Sequence, residues 1–140
     1  MDRRTFMRTA ATGCSLSTWW ALSACASVPT LHPTVEAGRV RVARVDVQAA
    51  FGAGSALLLQ SDTLPESIYV LRDDNDTYTA VGATCTHLGC QVRPANNFLR
   101  CPCHGSSFNF DGGVVRGPAT QPLPRYRLDL VGEHIVIELP

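Results

Sequence analysis

The sequence predicts an all-β domain with an antiparallel sandwich or barrel-like fold. Two observations carry this prediction: short apolar runs recur from residue 39 to the C-terminus, and polar turns separate them. No stretch beyond residue 38 shows the apolar spacing of an amphipathic helix. At 140 residues the chain is long enough for one domain and too short for a second catalytic one.

The N-terminal segment has the charge pattern of an export signal. Three arginines, Arg3, Arg4 and Arg8, precede residues 9–35, which contain no Asp, Glu, Lys or Arg. Hydroxyl-bearing residues dilute this apolar stretch, which favours a cleaved segment over a permanent membrane span. Residues 2–7 resemble the consensus of twin-arginine export signals. Residues 22–25, Leu-Ser-Ala-Cys, resemble a bacterial lipobox, in which the Cys is lipidated.

These patterns divide the chain into three regions. We expect an export signal peptide over residues 1–24, a lipidated Cys25 with a linker over residues 25–38, and a folded domain over residues 39–140. The protein would then leave the cytoplasm by the twin-arginine route and be tethered on the periplasmic side of a bacterial membrane. The alternative is an uncleaved N-terminal anchor in which Cys25 is a small apolar residue.

Alternation and turn residues predict the strands in order. Residues 40–47 alternate valines with mostly polar residues, with one phase slip, which predicts a half-buried strand. A polar turn at residues 73–76 joins strands at 68–71 and 78–81 into a hairpin. The other predicted strands are 56–59, 98–100, 107–110, 125–130 and 134–139, with turns at 96–97, 111–113 and 132–133.

Charge excludes one class of partner. All twelve basic residues are Arg and are matched by twelve acidic residues, so the formal net charge is zero. The chain therefore has no basic surface for a nucleic-acid backbone, and we expect no nucleic-acid partner.

Two short segments contain the metal-binding side chains of the domain. Residues 85–90 are Cys-Thr-His-Leu-Gly-Cys and residues 101–106 are Cys-Pro-Cys-His-Gly-Ser. The ten residues between them include a turn, so the two loops can face each other and four ligands can close on one site. Gly89 and Gly105 allow backbone conformations and close approaches that a side chain would obstruct.

This pattern resembles the Rieske iron–sulfur proteins, in which two His and two Cys hold a [2Fe–2S] cluster. The resemblance implies an antiparallel sandwich with a small cluster-binding subdomain over residues 82–124. It implies one cluster per chain, with the ligands Cys85, His87, Cys101 and His104. It also implies a disulfide between Cys90 and Cys103, which marks the high-potential branch and is absent from ring-hydroxylating oxygenases.

The resemblance also assigns roles to residues around the cluster. Ser106 matches a serine whose hydroxyl donates to a bridging sulfide, and Gly117 and Pro118 match a proline loop that covers the cluster. Leu88 is expected as an apolar tip near the exposed edge. Many high-potential members have a tyrosine that bonds a cysteine sulfur where this chain has Phe108. Because that donor stabilises the reduced state, we expect a lower reduction potential here.

The implied function is one-electron transfer in a membrane-tethered periplasmic protein, as a carrier or a small subunit of an oxidoreductase. An oxidised [2Fe–2S] core of charge 2+ with two thiolates is neutral, so it accepts an electron more easily than a core with four thiolates. The expected partner is a redox protein such as a cytochrome or an oxidoreductase, with quinol as a further candidate. The chain has no nucleophile with a base and no second cofactor motif, so a stand-alone enzyme is not expected.

Three alternatives stay open from the sequence. One is the Rieske subunit of a quinol–cytochrome c oxidoreductase complex with an uncleaved N-terminal anchor. A second is a structural zinc module, which needs only four ligands and leaves Cys90 and Cys103 unexplained. In the third, all four cysteines form ordinary disulfides, and His87 and His104 then have no reason to lie at ligand spacing.

Overall fold

The computed structural model describes residues 27–140 as one helix and twelve short strands, which confirms the all-β prediction. The predicted export signal and Cys25 lie outside the described residues. The elements are β1 (Thr30–Leu31), β2 (Thr34–Glu36), β3 (Arg39–Ala43), α1 (Arg44–Phe51), β4 (Ala56–Leu59), β5 (Ile68–Arg72), β6 (Tyr78–Gly82), β7 (Arg93–Ala95), β8 (Phe98–Arg100), β9 (Ser107–Phe108), β10 (Val114–Arg116), β11 (Arg125–Val131) and β12 (His134–Glu138).

The strands form two sheets of different size. The large sheet has the order β1-β4-β5-β6-β11-β12-β3-β2, and the small sheet has the order β10-β9-β8-β7. All strand pairs are antiparallel except β1 with β4. The chain leaves the large sheet after β6 and returns at β11, which pairs with β6. Residues 83–124, including the small sheet and both Cys/His loops, are therefore one insertion between neighbouring strands.

Two hydrophobic clusters lie on opposite faces of strands β4 and β5. On β5, Ile68 and Val70 join one cluster, whereas Tyr69 and Leu71 join the other. Burial on both faces explains why β4 and β5 are nearly continuous apolar runs in the sequence. The cluster that contains Tyr69 and Leu71 connects the large sheet to the small one through residues that include Cys85, Val92, Leu99, Cys101 and Phe108.

The helix α1 corrects the prediction that no helix follows residue 38. The predicted strand over residues 40–47 ends at Ala43, and the phase slip in its alternation marks this end. Val47 and Phe51, one helical turn apart, are buried, whereas Val45 is 67% exposed. A helical period that rests on two buried residues is too short to recognise in the sequence. No helix within residues 27–140 is long and apolar enough to cross a membrane.

Folded structure begins before residue 39. Strands β1 and β2 lie in the stretch expected as a linker, but β1 pairs with β4 and β2 pairs with β3. They occupy the two edges of the large sheet. The part of the chain over residues 30–36 is therefore a component of the domain and not a free linker.

Candidate metal centre

The two Cys/His loops have the same backbone plan. In each six-residue loop the N–H of the first residue donates to the carbonyl of the last. Cys85 donates to Cys90 and Cys101 donates to Ser106, both at 2.8 Å. Backbone hydrogen bonds alone therefore close each loop at its base, without a metal ion or a side chain.

The glycine at the fifth position turns each loop back on itself. Gly89 and Gly105 have φ angles of +81° and +82°, and their N–H groups donate to the carbonyls of Cys85 and Cys101 at 2.9 and 3.1 Å. A Cβ at either glycine would meet no atom within 4 Å. The backbone conformation therefore requires glycine here, and the close approach expected from the sequence is not the reason.

The four expected ligands lie in the two loops as buried thiols and adjacent imidazoles. Cys85 and Cys101 are free cysteines, 2% and 1% exposed. The rings of His87 and His104 have centroids 4.9 Å apart and are nearly perpendicular, at 85°. Imidazoles from different loops are thus in contact, as a shared site requires.

A disulfide between Cys90 and Cys103 joins the loops, and this confirms the expected pairing. The sulfur of Cys101 lies within 4.8 Å of both of these sulfurs. Because Cys90 and Cys103 share the disulfide, only Cys101 of the three offers a free thiol. The free thiols of Cys85 and Cys101 exclude the alternative in which all four cysteines form disulfides.

The loop backbone favours the thiolate form of Cys101. Burial alone raises the pKa of this thiol, but the backbone N–H groups of Cys103 and His104 donate to its sulfur, and the Cys85 side chain also contacts it. Together these contacts outweigh burial and hold the pKa of Cys101 below its ordinary value. A thiolate is the form that binds metal.

One nitrogen of the site has no hydrogen-bond partner. Among the described residues, His87 Nδ1 is the one buried side-chain nitrogen or oxygen atom left without a partner. Such an atom costs about 1–3 kcal/mol, and metal coordination would remove that cost. Two thiols and two imidazoles are the donor set of a Rieske [2Fe–2S] cluster, so the residues present fit this group.

A segment between β10 and β11, residues 117–124, binds to both loops. The N–H of Ala119 donates to Ser106 Oγ at 2.9 Å, and Ser106 is fully buried. Thr86 Oγ1 donates to the carbonyl of Gln121 at 2.6 Å. Each loop is therefore tied to the segment by one hydroxyl. The contribution of Thr86 was missed from the sequence, although a hydroxyl beside His87 was a signal for it.

Four other residues singled out in the sequence differ in exposure. Gly117 and Pro118 are exposed at the start of the segment over residues 117–124, and the peptide bond between them is cis. Leu88 is 69% exposed, so the tip of the first loop presents apolar surface. Phe108 is fully buried in the same cluster as Cys85 and Cys101.

Side chains from the large-sheet side hold the stem of the first loop, which is formed by residues 83–85 and 90–92. No local sequence pattern predicts these contacts. Tyr69 donates its hydroxyl to the carbonyl of Val92 at 3.0 Å. Glu66 accepts from the N–H of Thr84 at 3.1 Å and from the hydroxyl of Tyr126 at 3.0 Å. These contacts join residues that are distant in sequence, which local patterns do not reveal.

Residues 43–127 match the sequence model of the Rieske [2Fe-2S] domain. The match covers more than half of the chain and includes both loops. The chain belongs to the Rieske family. This Rieske protein is an electron carrier with one [2Fe–2S] cluster as its cofactor, so the predicted family and cofactor are confirmed.

The curated relatives include iron-sulfur subunits of cytochrome b6-f complexes. The chain is 31% identical over 127 residues to the cytochrome b6-f complex iron-sulfur subunit of Chlorobaculum tepidum. The aligned region covers 84% of this chain and 69% of that subunit. The chain is 45% identical over 74 residues to the cytochrome b6-f complex iron-sulfur subunit 2 of Synechocystis, or 51% of this chain and 41% of the relative. The chain thus spans less than half the length of several relatives that it matches.

A solved structure supports the fold. The cyanobacterial plasma membrane Rieske protein PetC3 from Synechocystis has a TM-score of 0.56 and 34% sequence identity. The likeness covers 64% of this chain and 92% of that protein. The all-β Rieske fold is therefore shown by both sequence and structure.

Proposed function

We propose that the protein is a membrane-tethered electron carrier on the periplasmic side of a bacterial membrane. In this proposal Cys85, His87, Cys101 and His104 hold the cluster. The proposed cluster site rests on one observation: a disulfide joins the two loops, which contain two buried free thiols and two imidazoles in contact. The free thiols are the basis for assigning Cys85 and Cys101, and not Cys90 and Cys103, as ligands.

The residues of the site have different roles in the proposed electron transfer. When bound, the cluster supplies a centre that takes up and releases one electron. The buried cysteines keep the sulfur ligands out of water, whereas His104 is exposed and Leu88 forms an apolar tip. A redox partner such as a cytochrome or an oxidoreductase would therefore approach the cluster most closely at the exposed edge of the His104 imidazole.

The tether is proposed from the N-terminal sequence. The arginines before an uncharged apolar stretch support export by the twin-arginine route over residues 1–24, and the lipobox-like tetrapeptide supports lipidation at Cys25. Residues 39–140, with a cluster-binding region over residues 82–124, form the Rieske domain in this proposal, together with β1 and β2. The similar PetC3 is a plasma membrane Rieske protein, which agrees with a membrane-associated protein.

A second candidate function is a Rieske subunit of a quinol-oxidising cytochrome complex with an uncleaved anchor. The likeness to a cytochrome b6-f subunit over 84% of the chain favours it. Mass spectrometry of the protein extracted from membranes separates the two. A diacylated Cys25 as the first residue supports the tethered carrier, whereas an intact N-terminal signal supports the complex subunit.

Metal analysis tests the proposed ligands. We expect wild-type protein to contain iron and acid-labile sulfide in equal amounts with no zinc, and to absorb visible light. His104→Ala should abolish the absorption, whereas His134→Ala, a histidine on β12 outside the loops, should keep it. A colourless, zinc-containing wild-type protein would refute the proposal.

A further inference from the structure

Both strands of the stem of the first loop are held by side chains from the large-sheet side. The stem is closed at its base by the N–H of Val92, which donates to the carbonyl of Ala83 at 2.8 Å. Tyr69 binds the carbonyl of Val92 on one strand. Glu66 binds the N–H of Thr84 on the other strand, one residue before the proposed ligand Cys85.

Glu66 is a half-buried carboxylate with a fixed position. Its Oε2 accepts from Thr84 and its Oε1 accepts from Tyr126. A Cβ on Gly82 would lie 2.7 Å from the carboxylate carbon, so glycine leaves the room that the carboxylate needs. Within residues 27–140 no Arg or His forms an ion pair with Glu66. Among the described residues the carboxylate thus has hydrogen-bond donors but no cationic side chain within ion-pair distance.

The Tyr126 hydroxyl remains a donor to this carboxylate. Burial, the hydrogen bond from the hydroxyl to Glu66 and the negative charge of Glu66 raise the pKa of Tyr126 to about 12. At neutral pH the hydroxyl is therefore protonated and offsets part of the carboxylate charge.

We propose that Glu66 is a positioning residue that lowers the reduction potential of the cluster, and that Tyr126 limits this effect. The inference rests on the proposed ligand set. Bond dimensions place Glu66 Oε2 no more than about 9 Å from the Cα of Cys85. A negative charge this close to the first loop opposes the addition of an electron to a neutral oxidised centre held by that loop.

The charge and the structural role predict different patterns of change. Glu66→Gln keeps the shape and removes the charge, so the potential should rise. Tyr126→Phe removes the donor and leaves the charge less balanced, so the potential should fall. A residue that only holds the stem would give shifts of the same direction in both variants, or none.

Tyr69→Phe is the matched control. It removes the same hydroxyl group from the opposite strand of the same stem, where the hydroxyl donates to a backbone carbonyl and not to a carboxylate. We expect lower thermal stability than wild type and an unchanged potential. If the control shifted as far as Tyr126→Phe, loosening of the stem would explain both results and the inference would be wrong.

The experiment is potentiometry of the full-length, cluster-containing protein monitored by electron paramagnetic resonance, with iron content measured in parallel. Opposite shifts in Glu66→Gln and Tyr126→Phe support the inference, and shifts of one direction or none overturn it. If Glu66→Gln does not assemble a cluster, a fall in Tyr126→Phe without one in Tyr69→Phe supports the inference and its absence overturns it. A wild-type protein without a cluster would instead contradict the proposed function itself.

Discussion

At the residue scale, two features of the site bear on its chemistry: backbone N–H groups donate to the Cys101 sulfur, and Phe108 has no hydroxyl to donate. Backbone N–H groups lower the pKa of Cys101, and the Ser106 hydroxyl lies buried against Ala119. Phe108 has no hydroxyl and lies in the same apolar cluster as both free cysteines. Single substitutions at Ser106 and Phe108 therefore test the proposed control of the potential.

Phe108→Tyr should raise the midpoint potential by about 40 mV, the one-electron equivalent of a hydrogen bond of about 1 kcal/mol. Phe108 is fully buried in the same apolar cluster as Cys85 and Cys101, and the family resemblance places a tyrosine hydroxyl at this position against a cysteine sulfur. Donation to sulfur stabilises the reduced state. Potentiometry measures the shift, with the more exposed Phe98→Tyr as a control that leaves it unchanged. An unchanged potential in Phe108→Tyr would refute the explanation.

Ser106→Ala should lower the free energy of unfolding by about 1–3 kcal/mol, because the buried N–H of Ala119 loses its acceptor. The potential should also fall if the Ser106 hydroxyl donates to the cluster as the family resemblance implies. Denaturant unfolding and potentiometry measure the two effects. Ser107→Ala, at the neighbouring position on β9, should change both much less. Equal stability of Ser106→Ala and wild type would show that the bond does not hold the segment over residues 117–124.

At the element scale, most strands and turns could be predicted, whereas the helix and the short strands β1, β2, β7 and β10 could not. The turn at residues 96–97 joins β7 to β8 and the turn at 132–133 joins β11 to β12, as the sequence indicated. The alternating valines predict one strand because β3 and α1 follow each other without a turn residue between them. A short helix with two buried side chains has too few repeats to be recognised.

Phe51→Ala in helix α1 should cost about 3–5 kcal/mol in unfolding free energy, because the side chain fills the core of the large sheet. It also contacts the ring of Tyr78 and lies under the guanidinium of Arg72. The exposed Val45→Ala in the same helix should change stability by no more than about 0.5 kcal/mol. Urea unfolding compares the two. Similar small effects would mean that α1 does not contribute to the core.

The double variant Cys90→Ala with Cys103→Ala should lose its cluster faster than wild type on heating. Without the disulfide, the described hydrogen bonds of Thr86 and Ser106 to residues 117–124 would still tie the loops to that segment. A bridge that closes a loop of this length contributes about 3 kcal/mol. The rate at which visible absorption fades on heating measures the effect. Equal rates would show that the bridge is dispensable.

At the scale of the whole molecule, the fold separates the site from the N-terminal strands. Both loops belong to one insertion between β6 and β11, whereas β1 and β2 form the edges of the large sheet. The two Cys/His motifs could be recognised in the sequence because their spacing is local. The stem contacts of Glu66 and Tyr69 could not, because they form only when the large sheet packs against the insertion.

The electron paramagnetic resonance spectrum of the dithionite-reduced, full-length protein tests the central claim most directly. If two cysteines and two histidines hold a [2Fe–2S] cluster, anaerobically purified protein should give a rhombic signal that integrates to one spin per chain. His87→Ala should remove the signal and His32→Ala should retain it. Iron-containing wild-type protein without such a signal would contradict the claim.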